Sequence, residues 1–373
     1  VVGAFTGLRI ADFSRVLAGP YATMLLGDMG AEVIKVERPK VGDDTRSWGP
    51  PFDSGHRATY FQSVNRNKKG ITIDLSTEVG RERALELIST CDVVVENFSV
   101  GTMEKFGLGY ETLSPKYPGL IYCSISGFGS SESARQLPGY DLLVQALSGL
   151  MSITGPDADH PTKVGVALID VTAGLHTALG IVAALYHRKE NGLGQKIEIN
   201  LLSSALSGMV NQSGAFVGAA VVPTAMGNAH PSIAPYEVYK AKDVQIVIAV
   251  GNDAQFLKFC VVLGIDLASD QRFGSNVQRV LHRAELNALI APVLAAKDGA
   301  YWVAECTQVG VPAGPINDVE AAVALAEQLG LAPIVTITDP RDQSTSRTIA
   351  NPINFSTTPV EYHLGPPALG IDN

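Results

Sequence analysis

The sequence predicts an α/β protein built on a doubly wound parallel sheet, and three observations carry that prediction. Short apolar runs of strand length alternate with amphipathic stretches through the first part of the chain. Turn-forming residues bound the runs. The 373 residues are 46% hydrophobic and 17% charged, enough for a full core in two domains or one large one.

Residues 8–13 read as a strand, 14–20 as a turn, 21–29 as a helix and 31–37 as a second strand, a βαβ unit. In a dinucleotide site, Gly-x-Gly-x-x-Gly fills such a turn and the acid ending the second strand binds ribose. Here the turn is Ser14-Arg15-Val16-Leu17-Ala18-Gly19-Pro20 and Arg38 follows Glu37, which weighs against a nicotinamide enzyme. Residues 39–55 form a Gly-, Pro- and Asp-rich loop. The basic run Ser63-Val64-Asn65-Arg66-Asn67-Lys68-Lys69 leads into a strand at 71–75. Such a run is either a solvated loop or a phosphate holder. A helix at 79–90, a strand at 92–96 ending in Asn97-Phe98, and a strand at 120–126 continue the alternation. Ligands on such sheets sit at the carboxyl ends of strands, where Arg15, Arg38, Lys68 and Asn97 are expected.

Gly139-Tyr140-Asp141 precedes an amphipathic helix at 142–151. The apolar run Gly165–Asp170 then meets a helical pattern marked by Leu175, Leu179, Val182 and Tyr186. A membrane span is the first thought for such a run. Asp170, His176 and the glycines Gly165, Gly174 and Gly180 favour a buried strand-turn-helix with Asp170 at the N-cap. Asp170 is the only formally charged side chain from Val164 to Tyr186. It reads either as a structural cap or as a carboxylate nucleophile. Burial opposes ionisation of such a group, and a helix N-terminus favours it by about 0.3–2 kcal/mol.

A strand at 195–201, a helix of small residues and a break at 223–232 follow. A hairpin at 236–240 and 244–250, helices at 254–263 and 284–296 and a turn at 310–315 come next. The expected domains are 1–224, a smaller α+β domain at 225–330, and a loop-rich segment at 331–373.

A net charge of −9 disfavours a general nucleic-acid binder. Residues 1–110 hold 13 Lys/Arg against 14 Asp/Glu, leaving room there for a local basic pocket. Cys91, Cys123, Cys260 and Cys306 are scattered, and the seven histidines form no His-x-x-x-His pair. Reduced thiols, a cytoplasmic setting and no metal site are expected. Residues 1–15 show no signal-peptide pattern, and no membrane partner is expected.

Seven motifs in order carry a resemblance. They are Val16–Pro20, Val33–Pro39, Gly42–Arg46, Asn65–Lys69, Val95–Phe98, Gly139–Asp141 and Gly165–Asp170. Together they resemble the class III CoA-transferase family across nearly the whole chain. The runs Arg38–Phe52, Ser63–Lys69 and Ala229–Tyr236 are most similar to its succinate–hydroxymethylglutarate branch. The resemblance implies an intertwined, ring-like homodimer. Each subunit would have a Rossmann-like large domain, a small domain and a C-terminal segment that returns to the large one. It implies no permanently bound cofactor; a coenzyme A thioester is substrate, with a carboxylic acid as acceptor. For a eukaryotic source the mitochondrial matrix is the alternative compartment.

By the same resemblance Asp170 is the nucleophile and Tyr140 lies beside the thioester. Val16, Leu17 and Ala18 line the CoA site. Arg38, Lys68 and Lys69 lie by the adenosine phosphates, Asn67 is a further CoA-binding position, Asn97 and Phe98 flank the nucleotide, and Lys105 takes a basic position. Gly227-Asn228-Ala229-His230-Pro231-Ser232 replaces a glycine run over the acceptor, and its proline implies a stiffer loop. His230 would either contact a substrate carboxylate or brace the linker. Arg46, Arg66 and Arg15 are the candidate cations for the far carboxylate of a dicarboxylate. The expected activity is CoA transfer from a succinyl-CoA-type donor to a short dicarboxylate. The rivals are a 2-methylacyl-CoA racemase and a CoA-binding protein without turnover. The racemase would need a base where Tyr140 stands, and a phenol near pKa 10 is a poor one. His176, on an apolar run, reads as a core histidine.

Overall fold

The computed structural model describes residues 3–373, which fold as two units. The larger takes residues up to 151, 163–222 and 332–373; the smaller takes 152–162 and 223–331. The segment 152–162 departs from the expected boundaries. It folds with the smaller unit, where the Thr162 N–H donates to the Thr154 carbonyl and the Gly227 N–H to the Gly155 carbonyl.

In the larger unit the order is β1 (Arg9–Asp12), α1 (Ala18–Asp28), β2 (Glu32–Glu37), α2 (Thr59–Ser63), β3 (Lys68–Thr72), α3 (Glu78–Ser89), β4 (Val93–Glu96), α4 (Thr102–Lys105), α5 (Tyr110–Leu113) and β5 (Ile121–Ser126). Then come α6 (Asp141–Leu147), α7 (Leu168–Asn191), β6 (Lys196–Asn200), α8 (Leu201–Gly208) and α9 (Asn211–Ala219). The six strands are parallel in the order β3-β2-β1-β4-β5-β6. Strand order therefore reverses between β1 and β4, which opens a crevice at their carboxyl ends. Period-2 alternation feeds both faces of the sheet. Ile10, Val33, Val93 and Val95 pack with Leu26, Ile169, Ala173 and Ile181 on one face. Ala11, Val36, Val94 and Tyr122 pack with Ala84, Ile88, Met103 and Leu113 on the other.

The smaller unit holds β7 (Tyr236–Lys240), β8 (Gln245–Ala249), α10 (Asp253–Leu263), α11 (Asn276–Leu281), α12 (Arg283–Leu294), α13 (Gly299–Gln308), β9 (Ala313–Pro315) and α14 (Val319–Gln328). The expected hairpin forms, and β9, read as part of a turn, adds a third antiparallel strand. The core gathers Ile246, Ile248, Phe256, Phe259, Ile290 and Trp302. The chain then re-enters the larger unit as the antiparallel pair β10 (Ile334–Thr338) and β11 (Thr345–Ile349).

Two elements of the larger unit also differ from the sequence reading. Strand β3 begins at Lys68, because pairing Val33 with Lys68 extends the β2 ladder over the basic run. No strand precedes Asp170: α7 starts at Leu168, and Val166 is 60% exposed. Helix α7 is apolar on both faces. Ile169, Ala173, Thr177, Ile181 and Ala184 are buried. The stripe Leu175, Leu179, Val182 and Tyr186 is exposed. The helix is long and apolar enough to cross a membrane by length and composition, yet it is a layer of this sheet. Gly174 permits that packing, since a Cβ there would lie 2.7 Å from the Ala18 carbonyl oxygen on α1.

Candidate active site

A cavity of about 650 Å³ opens at the carboxyl ends of β1, β4 and β5. Its walls include Arg15, Asn97, Phe98, Arg135, Tyr140 and Asp170. The turn after β1 forms one wall without the glycines of a dinucleotide site. Side chains grip its backbone instead. Asp12 Oδ1 accepts the Ser14 N–H at 3.0 Å, and Lys35 Nζ donates to the Ser14 carbonyl at 3.1 Å. Asn97 reaches across the crevice from the end of β4. It accepts the Arg15 N–H at 2.8 Å and donates to the Arg15 carbonyl at 2.7 Å. Asp43 accepts the Val16 N–H at 3.3–3.4 Å and holds Val16 at φ +68°, a left-handed conformation costly for a β-branched residue.

Beneath the turn lies a fully buried ion network. Lys68 Nζ donates to Asp12 Oδ2, the Pro20 carbonyl and Asn65 Oδ1 at 2.9–3.0 Å, and Lys35 Nζ donates to Asp43 Oδ2 at 2.9 Å. Burial raises the Asp43 carboxyl, but Lys35 and the Thr45 bonds outweigh it and hold the group down at about 2.

Asp170 is the third residue of α7, not its cap; Ala167 occupies that position and offers no capping side chain. The cap comes from α6. Asp141 Oδ1 accepts the Ile169 N–H at 2.8 Å and the Asp170 N–H at 3.1 Å. Gln145, one turn further along α6, donates to Asp141 Oδ2 at 2.5 Å and accepts the Val164 N–H at 2.9 Å. Gly127 and Gly139 bring this corner to the end of β5, since a Cβ on either would lie within 2.5 Å of the other's Cα. The helix-end N–H groups expected to stabilise Asp170 are thus spent on Asp141. Burial first, and the Asp141 carboxylate second, push the half-buried Asp170 carboxyl up to about 7.

The structure gathers part of the expected set around the cavity. Val16, Leu17, Ala18, Asn97, Phe98, Tyr140 and Asp170 line it. Arg38 stands behind the wall, paired at 2.7 Å with Asp44, which does line it. Lys105 is exposed on α4 and does not line it.

Four of the expected site residues, three in the basic run and Arg46, have internal partners. Lys68 points into the network with Asp12. Asn67 bonds Asp28 and the Glu361 carbonyl, and accepts the His363 N–H. Lys69 pairs with Glu32 at the amino end of β2, away from the carboxyl-end crevice. Arg46 chelates Glu37, donates to the Pro367 carbonyl and stacks on Phe61 at 3.8 Å. Arg66 is likewise held by Asp28, Thr348 and the Ile349 carbonyl.

His230 and Gly227 belong to the smaller unit. His230 accepts the Ser232 N–H at 3.1 Å and packs edge-on against Tyr236. His176 meets Ser204 on α8 at 3.1 Å.

Two residues escaped the sequence reading. Arg135, in the loop before α6, adds a second cavity cation to Arg15, whose guanidinium stacks 4.5 Å from the Phe98 ring. Tyr60, on α2, packs edge-on against Trp48, and the two line a recess with Pro50 and Pro51. Burial and then the Asp170 and Asp141 carboxylates push its phenol up to about 12. Tyr60 therefore keeps its O–H as a donor in the field of Asp170. No local motif marks either residue.

Residues 5–373 match the family model described as CoA-transferase family III. Succinate–glutarate CoA-transferase of Agrobacterium fabrum is 40% identical over 371 residues, covering 98% of this chain and 92% of the relative. Succinyl-CoA:mesaconate CoA-transferase of Haloarcula hispanica is 42% identical over 326 residues, covering 85% of this chain and 81% of the relative. The crystal structure of a CAIB/BAIF family protein from Brucella suis superposes with a TM-score of 0.85 at 40% identity, covering 100% of this chain and 97% of that one.

Proposed function

The chain belongs to CoA-transferase family III, and from that premise we propose that it moves coenzyme A from a succinyl-CoA-type donor to a short dicarboxylate, with Asp170 as nucleophile. The observation that carries this reading is a half-buried carboxylate at the wall of a cavity of about 650 Å³ at the switch point of the sheet. The substrates named for the Agrobacterium and Haloarcula relatives support the diacid class.

In the proposed reaction an Asp170 oxygen attacks the donor carbonyl, the C–S bond breaks, and CoA leaves as thiolate. The thiolate attacks the Asp170 carbonyl of this mixed anhydride, which expels the donor carboxylate and leaves an aspartyl-CoA thioester. The acceptor carboxylate attacks that thioester and releases the thiolate again. The thiolate then takes the acceptor acyl group from the second anhydride and restores Asp170. No net proton moves, and the thioester's free energy is kept throughout. Water would hydrolyse each intermediate, so the cavity must be shut during turnover.

Arg15 and Arg135 supply cations for phosphates or for a far carboxylate. Arg15 is the one of the three sequence candidates left facing the cavity. Tyr140 borders the thioester. We also propose a homodimer, supported by the exposed apolar stripe of α7 and by exposed Val210, Phe216 and Val217 beyond α8.

The test is transfer from succinyl-CoA to a panel of mono- and dicarboxylates, read by mass spectrometry, with Asp170→Ala alongside. Transfer to a diacid is expected, with a loss of at least about 10⁴-fold in the variant while CoA binding persists. Transfer by Asp170→Ala removes the nucleophile assignment. Exchange of the α-proton of a 2-methylacyl-CoA without transfer replaces the reading with a racemase.

A further inference from the structure

The loop that delivers Asp170 is anchored in the core through Ile169, 1% exposed, but is otherwise open. Gly165, Val166 and Leu168 are exposed. The loop's polar anchors come from α6, 19 to 29 residues earlier in the chain. Gln145, 1% exposed, accepts the Val164 N–H and places its amide 3.3 Å from the Val166 carbonyl. The same amide holds Asp141 Oδ2, and Asp141 Oδ1 takes the N–H groups of Ile169 and Asp170. One acceptor thus binds the backbone of the reacting residue itself, and one amide sets the rotamer of that acceptor.

We propose that Asp141 and Gln145 are positioning residues for the transfer reaction: together they aim Asp170 into the cavity, and the charge on Asp141 sets the pH range in which Asp170 attacks. This rests on the reading of Asp170 as nucleophile. A neutral cap such as Ser or Asn would satisfy the same two N–H groups. A carboxylate does so while placing a like charge beside the attacking group. The like charge makes Asp170 harder to ionise, and a more basic carboxylate is a better nucleophile once ionised.

The other ionisable groups around Asp170 are Tyr60 from α2, Tyr140 at the start of α6, Arg15 from the turn after β1 and His176 further along α7. Tyr60 keeps its proton, with a pKa pushed up to about 12. Arg15 carries a fixed charge across neutral pH. His176 is bonded to Ser204 on α8.

Three variants separate aim from charge. Asp141→Ala removes both capping bonds. Transfer kcat is expected to fall by about 10–100-fold, with KM for the acyl-CoA within about two-fold, because the donor cavity is intact while the nucleophile is misplaced. Asp141→Asn keeps an oxygen for the two N–H groups but removes the charge. The acid limb of its kcat–pH profile is expected to move down by about one unit. In this variant the introduced amide at position 141 faces the Gln145 amide, donor to donor. Asp141→Asn with Gln145→Glu restores a partner to the 141 side chain: the introduced carboxylate at position 145 accepts from the amide at position 141 and from the Val164 N–H, at the cost of the 3.3 Å contact to the Val166 carbonyl. The negative charge then lies one side chain further from Asp170. This double variant is expected to recover kcat relative to Asp141→Asn while its acid limb lies between those of Asp141→Asn and wild type.

A merely structural cap would lower stability and kcat but leave the acid limb in place. The proposal is overturned if the acid limb of Asp141→Asn coincides with that of wild type. It is overturned equally if Asp141→Ala retains kcat within about two-fold. Should Asp141→Ala fail to fold, the Asp141→Asn profile decides alone. The Asp170→Ala control separates the two levels: if that variant transfers CoA, the nucleophile reading fails, and if it is dead while the Asp141 variants match wild type, only the positioning inference fails.

Discussion

The turn at 14–18 and the segment at 164–170 both reach one cavity, the first through residues 15–18 and the second through Asp170, yet they are held in opposite ways. In the first, side chains from β1, β2, β4 and the loop after β2 bind three successive residues, and the charges behind them are wholly buried. In the second, the backbone on either side of the exposed residues Gly165 and Val166 hangs from the Asp141–Gln145 pair. Buried charges tolerate little movement, because losing a partner strands an ion in a poor solvent. Such a network fixes the shape of that wall. Asp170 is alternately free and acylated in the proposed chemistry, and a short clamp on an exposed loop leaves it room. Rigidity therefore differs between two parts of one cavity wall.

The difference can be broken most forcefully at Lys68. Lys68→Met leaves Asp12 without its closest counter-ion and is expected to destabilise the fold by about 3–5 kcal/mol. Gln145→Ala, which breaks hydrogen bonds beside an exposed loop, is expected to cost only about 1–2 kcal/mol while lowering kcat. Urea unfolding of both variants checks this, and equal costs would erase the contrast.

The next effect falls on coenzyme A. Arg15 lines the cavity and Arg38 stands behind it on Asp44. Arg15→Ala is therefore expected to weaken CoA about ten-fold and Arg38→Ala about three-fold, measured by calorimetry at fixed salt. The reverse order would move the phosphates to the outer rim.

The smallest effect is on thermal stability. With its carboxyl pushed up to about 7, folded Asp170 holds a proton over a range where the unfolded chain, near pKa 4, has released it. Wild type therefore loses stability as pH rises from about 4 through about 7. Asp170→Asn has no such loss. Its melting temperature is expected to exceed that of wild type by a few degrees at pH 8 and to converge with it at pH 4. A difference independent of pH would mean that burial and Asp141 do not perturb Asp170.

The sequence by itself determined the alternation that builds the parallel sheet, the hairpin of the smaller unit, and Asp170 as the lone charge in an apolar run. These are local properties: period-2 and period-3.6 patterns, turn residues and composition survive in any short window. Tertiary structure alone decided where the members of a polar cluster point. Lys68 and Lys69 are adjacent and chemically alike. The register of β3 against β2 turns one toward Asp12 and the other toward Glu32, and successive strand residues must point to opposite faces. Val16 adopts a glycine-like φ because Asp43 and Asn97, distant in sequence, complete its surroundings. Asp170 misled as a cap for the same reason. The acid that caps α7 is Asp141, on another helix, and a hydrogen bond between residues 28 apart leaves no mark in the pattern of either segment.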